Sequence, residues 1–150
     1  MNIKGFKCVL TFIASVLMLT SCSVENDVTK IVITSDDYMK FNTREITVKK
    51  GKVIKLTLKH IGKLDVQLMG HNFVLLKKKV DILEFANKAA MASKNQYIPV
   101  ESNEVIAYTD MIGGGQETTI EFLAPKVGVY DFICSFPGHY AMMKGKFIVE

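Results

Sequence analysis

Apolar and polar residues alternate with a period of two along most of the chain after residue 29. Between residues 53 and 59, for example, Ile54, Leu56 and Leu58 would point to one face and the intervening residues to the other, as in a half-buried strand. Similar runs occur at residues 30–34, 45–48, 72–76, 105–109, 118–123, 128–134 and 145–149. Turn-forming residues separate these runs, so the sequence predicts an all-β fold, a Greek-key β-sandwich of seven or eight strands.

One segment departs from this period. Between residues 81 and 93 apolar residues recur at the spacing of a helix, and they are Ile82, Leu83, Phe85, Ala86, Ala89 and Ala90. Asp81 and Glu84 at its start are spaced as in a capping box. The pattern therefore predicts one helix inserted between strands, and we expect this helix to pack on the sandwich.

The first 21 residues have the pattern of an export signal. Lys4 and Lys7 precede an apolar run from Val9 to Leu19, and no acidic residue occurs before Glu25. The uninterrupted apolar run is shorter than the ~20 residues that a membrane-spanning helix needs. A cleaved signal peptide is therefore favoured over a retained membrane helix.

The end of this leader, Leu19-Thr20-Ser21-Cys22, resembles the lipobox of bacterial lipoproteins. The resemblance implies that Cys22 is acylated and holds the exported protein at a bacterial membrane, whereas cleavage by the ordinary signal peptidase would leave a soluble protein. The residue after Cys22 is not the Asp that retains some lipoproteins at the inner membrane, which favours the outer membrane, facing the periplasm. The predicted organisation is a lipoprotein signal peptide at residues 1–21, a polar tether at residues 22–29 and one domain at residues 30–150.

Length and charge restrict the function further. The chain has 150 residues, enough for one well-buried core beside a leader. Its formal net charge is +4, and two of the 19 basic residues, Lys4 and Lys7, lie in the leader. The rest of the chain is only weakly basic, which argues against nucleic acid as a partner.

Cys134 is the cysteine that the sequence marks as a candidate metal ligand. Of the three cysteines, Cys8 lies in the signal peptide and Cys22 in the lipobox, which leaves Cys134 alone in a compartment where thiols tend to oxidise. Cys134, His139 and Met143 follow one another on a short segment at the end of a predicted strand. Two histidines, one cysteine and a weak, distant methionine form the ligand set of blue-copper centres, so a second histidine is required.

His60 and His71 are the other two histidines of the chain, and either could complete this set. The segment Gly70-His71-Asn72 resembles the one that supplies an imidazole ligand in azurins, a family of blue copper proteins with the cupredoxin fold. Residues 134–143 are also similar to azurins, with a Cys, an aromatic residue followed by Pro-Gly-His, and a Met four residues after that His. The resemblance extends over essentially the whole predicted domain and favours His71.

The resemblance to azurins implies one type 1 copper ion as the cofactor. It makes His71, Cys134 and His139 the equatorial ligands of the copper. Met143 would be the weak axial ligand, with the carbonyl oxygen of Gly70 on the opposite side. A cysteine and two histidines with an open position also suit zinc, which is the alternative metal.

Further residues surround the implied ligands. Asn72 would tie the two ligand loops together, Phe136 would restrict access of water, and His60 matches a histidine that packs near the metal in azurins. Met142 is an alternative to Met143 as the axial ligand, although the spacing in azurins favours Met143. Azurins usually carry a disulfide near the mature N-terminus, and this chain has no pair of cysteines to form it.

The resemblance implies an electron carrier rather than an enzyme. Such a protein passes single electrons while its copper cycles between Cu(I) and Cu(II), and it has no small-molecule substrate. Redox proteins such as c-type cytochromes, or a terminal oxidase or peroxidase, would dock at an apolar patch around His139. Copper trafficking or storage is the alternative function, and extra Met, His or Cys ligands on mobile segments would favour it.

Overall fold

The structure is a computed structural model that describes residues 28–150. The predicted signal peptide, Cys22 and the tether up to residue 27 lie outside the described residues. The described part of the chain forms nine strands and two α-helices. The strands are β1 (Val28–Asp36), β2 (Lys40–Phe41), β3 (Glu45–Val48), β4 (Val53–His60), β5 (Val74–Leu76), β6 (Val105–Tyr108), β7 (Glu117–Leu123), β8 (Gly128–Ile133) and β9 (Lys144–Val149), and the helices are α1 (Val66–Met69) and α2 (Ile82–Ala90).

The strands form two sheets that enclose the core. The first sheet has the order β2-β1-β4-β7 and the second has the order β3-β9-β8-β5-β6. Strand β1 pairs in parallel with β4, and β3 in parallel with β9, while the remaining pairs are antiparallel. The prediction of an all-β sandwich is confirmed, and β2 is an additional strand of two residues.

The side chains that alternate inward along the strands form the core. Ile54, Leu56 and Leu58 of β4 are all fully buried, as their period of two predicts. From the other sheet, the ring of Phe132 lies 5.2 Å from that of Phe73, and both are fully buried. Full burial of side chains of this size stabilises the folded state by about 1.5–3 kcal/mol each. The core therefore provides a rigid support for the loops at the ends of the strands.

The predicted helix is present as α2, which begins one residue after Asp81 as the capping pattern indicates. The Oδ1 atom of Asp81 accepts a hydrogen bond from the backbone nitrogen of Glu84 at 2.9 Å. The buried face of the helix packs with residues of β5 and β8 in a second apolar cluster, on the side of that sheet away from the main core. Leu83 is 55 % exposed and so does not belong to the buried face.

The structure also differs from the sequence prediction in its short elements. Strand β1 begins at Val28, so its first two residues lie in the segment that we predicted as tether. Strand β2 and helix α1 have only two and four residues, which is too short to show a period in the sequence. Among residues 28–150, no helix is long and apolar enough to cross a membrane.

The strand register brings the candidate site residues to one end of the sandwich. Strand β4 ends at His60, and Cys134 directly follows the end of β8. Ile133 pairs with Val74 at the start of β5 and with Lys144 at the start of β9. The loops that precede β5 and β9 therefore meet the segment that follows β8.

Candidate metal centre

Three buried side chains converge at this end of the sandwich. His71 precedes β5, Cys134 follows β8, and His139 begins a short 3-10 turn before β9. The Nδ1 atoms of His71 and His139 lie 3.2 Å apart, and the Sγ atom of Cys134 lies 3.9 Å from the first and 3.7 Å from the second. These residues form the one group of potential metal ligands found among residues 28–150.

The spacing of the three donor atoms fits a single metal ion. A point equidistant from them lies about 2.1 Å from each, within the ~2.0–2.3 Å range over which imidazole nitrogen and thiolate sulfur bind a metal such as zinc. Two imidazoles and one thiolate also form the trigonal set of blue-copper centres. The geometry alone therefore defines a metal site with three protein ligands, and the choice of metal needs further evidence.

The backbone between Cys134 and His139 turns back sharply to bring both side chains to the site. Gly138 has a φ of 82°, a conformation that glycine adopts without strain. The backbone nitrogen of Cys134 donates to the carbonyl of Met143 at 2.9 Å, and that of Met143 donates to the carbonyl of His139 at 2.7 Å. These bonds close the loop around the predicted ligands.

The two candidates for the axial methionine differ in burial. Met143 is fully buried, whereas the neighbouring Met142 is 54 % exposed. The loop therefore directs Met143 into the protein and Met142 towards solvent. This difference favours Met143 as the axial ligand.

Gly70 lies directly beside the three donor atoms. Its carbonyl oxygen is 3.8 Å from the Sγ atom of Cys134. A Cβ atom at this position would lie only 2.5 Å from the carbonyl oxygen of Val66 and 2.9 Å from the ring of Phe136. A glycine is therefore needed here for the backbone to approach the site this closely.

Asn72 hydrogen bonds across from the loop before β5 to the loop after β8. Its Oδ1 atom accepts a hydrogen bond from the backbone nitrogen of Ser135 at 2.9 Å, and its Nδ2 atom donates to the Ser135 hydroxyl at 2.8 Å. Asn72 is fully buried and Ser135 is 2 % exposed, so water does not compete for these bonds. They fix the distance between the residues on either side, His71 and Cys134.

Hydrogen bonding orients His71 for metal binding. Its Nε2 atom lies 2.8 Å from the backbone carbonyl of Asp36, and because a carbonyl can only accept, Nε2 carries the proton. The lone pair of the neutral ring is therefore on Nδ1, the atom that faces Cys134 and His139. The contact with Asp36 was not predicted, because nothing in the sequence relates β1 to the segment before β5.

Burial sets the charge of the ligand atoms in the metal-free protein. It raises the pKa of the Cys134 thiol to about 12, and it lowers the pKa of His139 to about 4, with nearby His71 and His60 adding to the second effect. Burial also lowers the pKa of His71. Both imidazoles are therefore neutral and have a lone pair available, whereas the thiol must release its proton when a metal binds.

The depressed pKa of His139 makes the stability of the metal-free protein depend on pH. Below pH 6.5 the unfolded chain binds a proton on His139, while the folded chain does not until about pH 4. The free energy of unfolding should be highest above pH 6.5 and fall towards pH 4 by on the order of 1 kcal/mol per pH unit. Urea unfolding at several pH values measures this, with the His139→Ala variant as the control. An equally steep decline in that variant would contradict the assignment to His139.

His60 packs behind the site instead of contributing a donor atom. Its ring stacks on that of His71, with the centroids 4.5 Å apart. The backbone nitrogen of Gly62 donates to Nδ1 of His60 at 3.0 Å, and Nε2 of His60 donates to the carbonyl of Met69 at 3.0 Å. Both ring nitrogens are thus engaged, so His60 supports the ring of His71.

An aromatic cluster packs against the ring of His139. The ring centroid of Phe136 lies 4.6 Å from that of His139 and 5.2 Å from that of Tyr97. His139 is only 4 % exposed, so the protein shields its ring from bulk water. Tyr97 was not predicted as part of the site, because it lies after α2 and carries no metal-ligand signature in the sequence.

Comparison with known proteins identifies the kind of metal centre. Residues 28–150 match the family model for copper binding proteins of the plastocyanin/azurin family. The chain belongs to this family. Azurin-1 from Alcaligenes xylosoxydans xylosoxydans is 40% identical over 83% of this chain and 94% of its own, and the azurin from Pseudomonas chlororaphis is 38% identical over 81% and 98%.

Solved structures of similar proteins show the same architecture. Dithionite-reduced auracyanin from Roseiflexus castenholzii has a TM-score of 0.74 and 34% identity, covering 81% of this chain and 97% of its own. An azurin from Methylomonas sp. strain J has a TM-score of 0.73 and 33% identity, covering 83% and 98%. The cupredoxin-like Greek-key β-sandwich is thereby confirmed.

Membership of this family and the observed donor set together establish the cofactor as one type 1 copper. The protein is accordingly an electron carrier of the azurin kind, and copper trafficking is not favoured. Carriers of this kind are generally not enzymes.

Proposed function

We propose that His71, Cys134 and His139 are the equatorial ligands of the copper. In this proposal the buried Met143 would be an additional, weak ligand, and the carbonyl oxygen of Gly70 would also lie beside the copper. The observation that carries the proposal is the triangle of donor atoms, with edges of 3.2, 3.7 and 3.9 Å, in a fully shielded part of the protein. The bound copper would supply a centre that accepts and releases one electron.

The surrounding residues would make electron transfer fast by limiting structural change. The carbonyl of Asp36 and the ring of His60 hold the imidazole of His71 in one orientation. Asn72 holds the two ligand loops at a fixed separation. Since hydrogen bonds and packing within the protein fix these positions, the arrangement of the ligands would change little when the copper gains or loses an electron.

We further propose that redox proteins such as c-type cytochromes dock at the apolar surface near His139. The backbone nitrogen of Met142 donates to the carbonyl of His139 at 3.0 Å. The side chain of Met142 is 54 % exposed. Leu68, two residues before Gly70, is 68 % exposed. Exposed apolar side chains of this kind permit brief contact with several partners and a short path for the electron through the ring of His139.

Stopped-flow mixing of the Cu(I) protein with oxidised cytochrome c tests the carrier function. The expected result is transfer of one electron per protein, with the copper retained afterwards. If a copper chelator or a copper-free acceptor protein removed the metal faster than the electron was transferred, the trafficking function would replace the proposal.

Replacement of Met142 by lysine tests the docking surface. Met142→Lys is expected to slow electron transfer to a cytochrome c chosen for its basic surface by about tenfold, because a positive charge at the contact repels that surface. Val129→Lys is a matched control, since Val129 is 53 % exposed on β8 near the other end of the sandwich. Stopped-flow rates at low salt make the comparison, and equal rates in the two variants would contradict docking near His139.

We also propose that the protein is exported and anchored through an acylated Cys22, with the outer membrane, facing the periplasm, as its location. The lipobox-like segment before Cys22 supports this proposal. Mass spectrometry of the N-terminal peptide from the full chain tests it, because acylation adds the mass of the lipid to a peptide that begins at Cys22. An unmodified N-terminus elsewhere would exclude the anchor.

A further inference from the structure

The end of the sandwich opposite the copper site is built from four chain segments. Val28 at the start of β1 pairs with Val53 at the start of β4, and Gly128 at the start of β8 pairs with Val149. The loop before β4 and the loop between β7 and β8 therefore lie at this end. Strand β4 runs from here to His60 over eight residues, which places the two ends about 25 Å apart.

Lysines are concentrated at this end. We call the group the basic pole, and its members are Lys49, Lys50, Lys52, Lys78 and Lys126. The Nζ atom of Lys78 is drawn to the pole by a hydrogen bond of 2.8 Å to the carbonyl of Val127. Glu150 lies in the grooves lined by Lys49, Lys50 and Lys52, so lysines outnumber side-chain carboxylates in these grooves.

The copper end carries a more even mixture of charges. Lys40 at that end pairs with Asp36 in the register of β1 and β2. The carboxylate of Asp37 accepts hydrogen bonds from the backbone nitrogens of Lys63 and Leu64 at 2.8 and 3.2 Å. The positive charge of the domain is thus asymmetric along the direction of the strands.

The N-terminal strand connects the basic pole to the predicted anchor. Val28 lies at the pole, and six residue steps separate it from Cys22, a span of at most about 20 Å when fully extended. A lipid on Cys22 would therefore keep this end of the domain, and not the copper end, close to the bilayer. The tether carries two acidic residues, Glu25 and Asp27, which together with Glu150 are fewer than the five lysines of the basic pole.

We propose that the basic pole docks on the anionic phospholipid headgroups of the membrane that carries the anchor. This inference rests on the proposed anchor at Cys22. Each lysine close to an anionic surface strengthens binding about fivefold, and the attraction extends over a Debye length of about 8–10 Å. Docking holds the basic pole against the bilayer. The surface around His139, at the other end of the sandwich, then faces away from the bilayer towards redox partners.

Lysine acetylation of the full chain on vesicles tests this orientation. The copper-loaded chain is reconstituted in vesicles of phosphatidylcholine alone or with about 30% phosphatidylglycerol, and acetylation rates are read by mass spectrometry. The rates at Lys49, Lys50 and Lys126 should fall at least about fivefold on the anionic vesicles. Those at Lys40 and Lys63, which lie at the copper end, should not change. Salt at about 0.5 M should remove the protection, because it shortens the Debye length to a few Å.

The other outcomes distinguish failure of the docking proposal from failure of the proposed lipid anchor. A chain that floats with phosphatidylcholine vesicles but shows equal rates on both kinds would overturn the docking and keep the anchor. A chain that floats only with anionic vesicles, with the pole protected, would support the docking without the anchor. Equal protection of Lys40 and Lys63, or protection by soluble glycerol phosphate or by an acidic polypeptide alone, would also overturn the proposal. The visible spectrum of the same samples reports the copper site independently.

Discussion

The Cys134→Ala variant is expected to lose the intense visible absorption of the Cu(II) protein completely. In a type 1 site this absorption arises from charge transfer between the cysteine thiolate and the copper, and Cys134 is the free cysteine among residues 28–150. Without the sulfur, only the two imidazoles of the donor triangle remain. The expected spectrum is that of a weakly bound, nearly colourless Cu(II) ion, and titration with Cu(II) under visible spectroscopy measures the change.

The design of this experiment includes a control for nonspecific effects on the loop. Met142→Leu alters a half-exposed residue on the same loop and should retain the band. Far-ultraviolet circular dichroism of both variants checks that the sandwich is folded. A band that survives in Cys134→Ala would contradict the ligand assignment, and so would a wild-type protein that binds Cu(II) but stays colourless.

The long strands could be predicted from the sequence because each has one face in the core. The alternation of Ile54, Leu56 and Leu58 reflects burial against the opposite sheet, so their period directly reports the fold. Strand β2 and helix α1 were missed because two and four residues are stabilised by their context and leave no periodic signal. The alternation within a strand also contains no information about which strands pair in parallel.

The site residues that lie on one loop could be predicted more securely than the residue that comes from a distant part of the sequence. Cys134 and His139 are close in sequence, so any compact loop brings them together. The residues alone left His60 and His71 as equal candidates, and the resemblance to azurins favoured His71. The structure gives a physical reason for this preference, since both ring nitrogens of His60 are hydrogen bonded, whereas Nδ1 of His71 faces Cys134 and His139.

The Asn72→Leu variant is expected to destabilise the metal-free protein by about 2–5 kcal/mol. Leucine has a similar volume, but it can neither accept from the backbone nitrogen of Ser135 nor donate to its hydroxyl. Each buried polar group that loses its partner costs about 1–3 kcal/mol, and no water reaches this part of the core to replace the bonds. The free energy of unfolding is measured by urea denaturation.

Asn42→Leu provides the matched control for Asn72→Leu. Oδ1 of Asn42 also accepts from a backbone nitrogen, that of Thr34, at 2.9 Å, but it does so at the exposed surface, where water can take its place. This variant should lose less than about 1 kcal/mol. An equal loss of unfolding free energy in the two variants would show that burial does not make the Asn72 hydrogen bonds more stabilising than the exposed Asn42 bond.

The same Asn72→Leu variant should bind copper about 10–100-fold more weakly, although the hydrogen bonds of the Asn72 side chain go to Ser135 and not to the three donor atoms. Residues that hold metal ligands in place typically contribute this much to affinity. Without the two hydrogen bonds, the loops that carry His71 and Cys134 can separate, so the metal must restore an arrangement that the wild-type protein already has. Competition titrations with a copper chelator measure the change. Unchanged affinity with reduced stability would mean that Asn72 supports the fold and not the metal site.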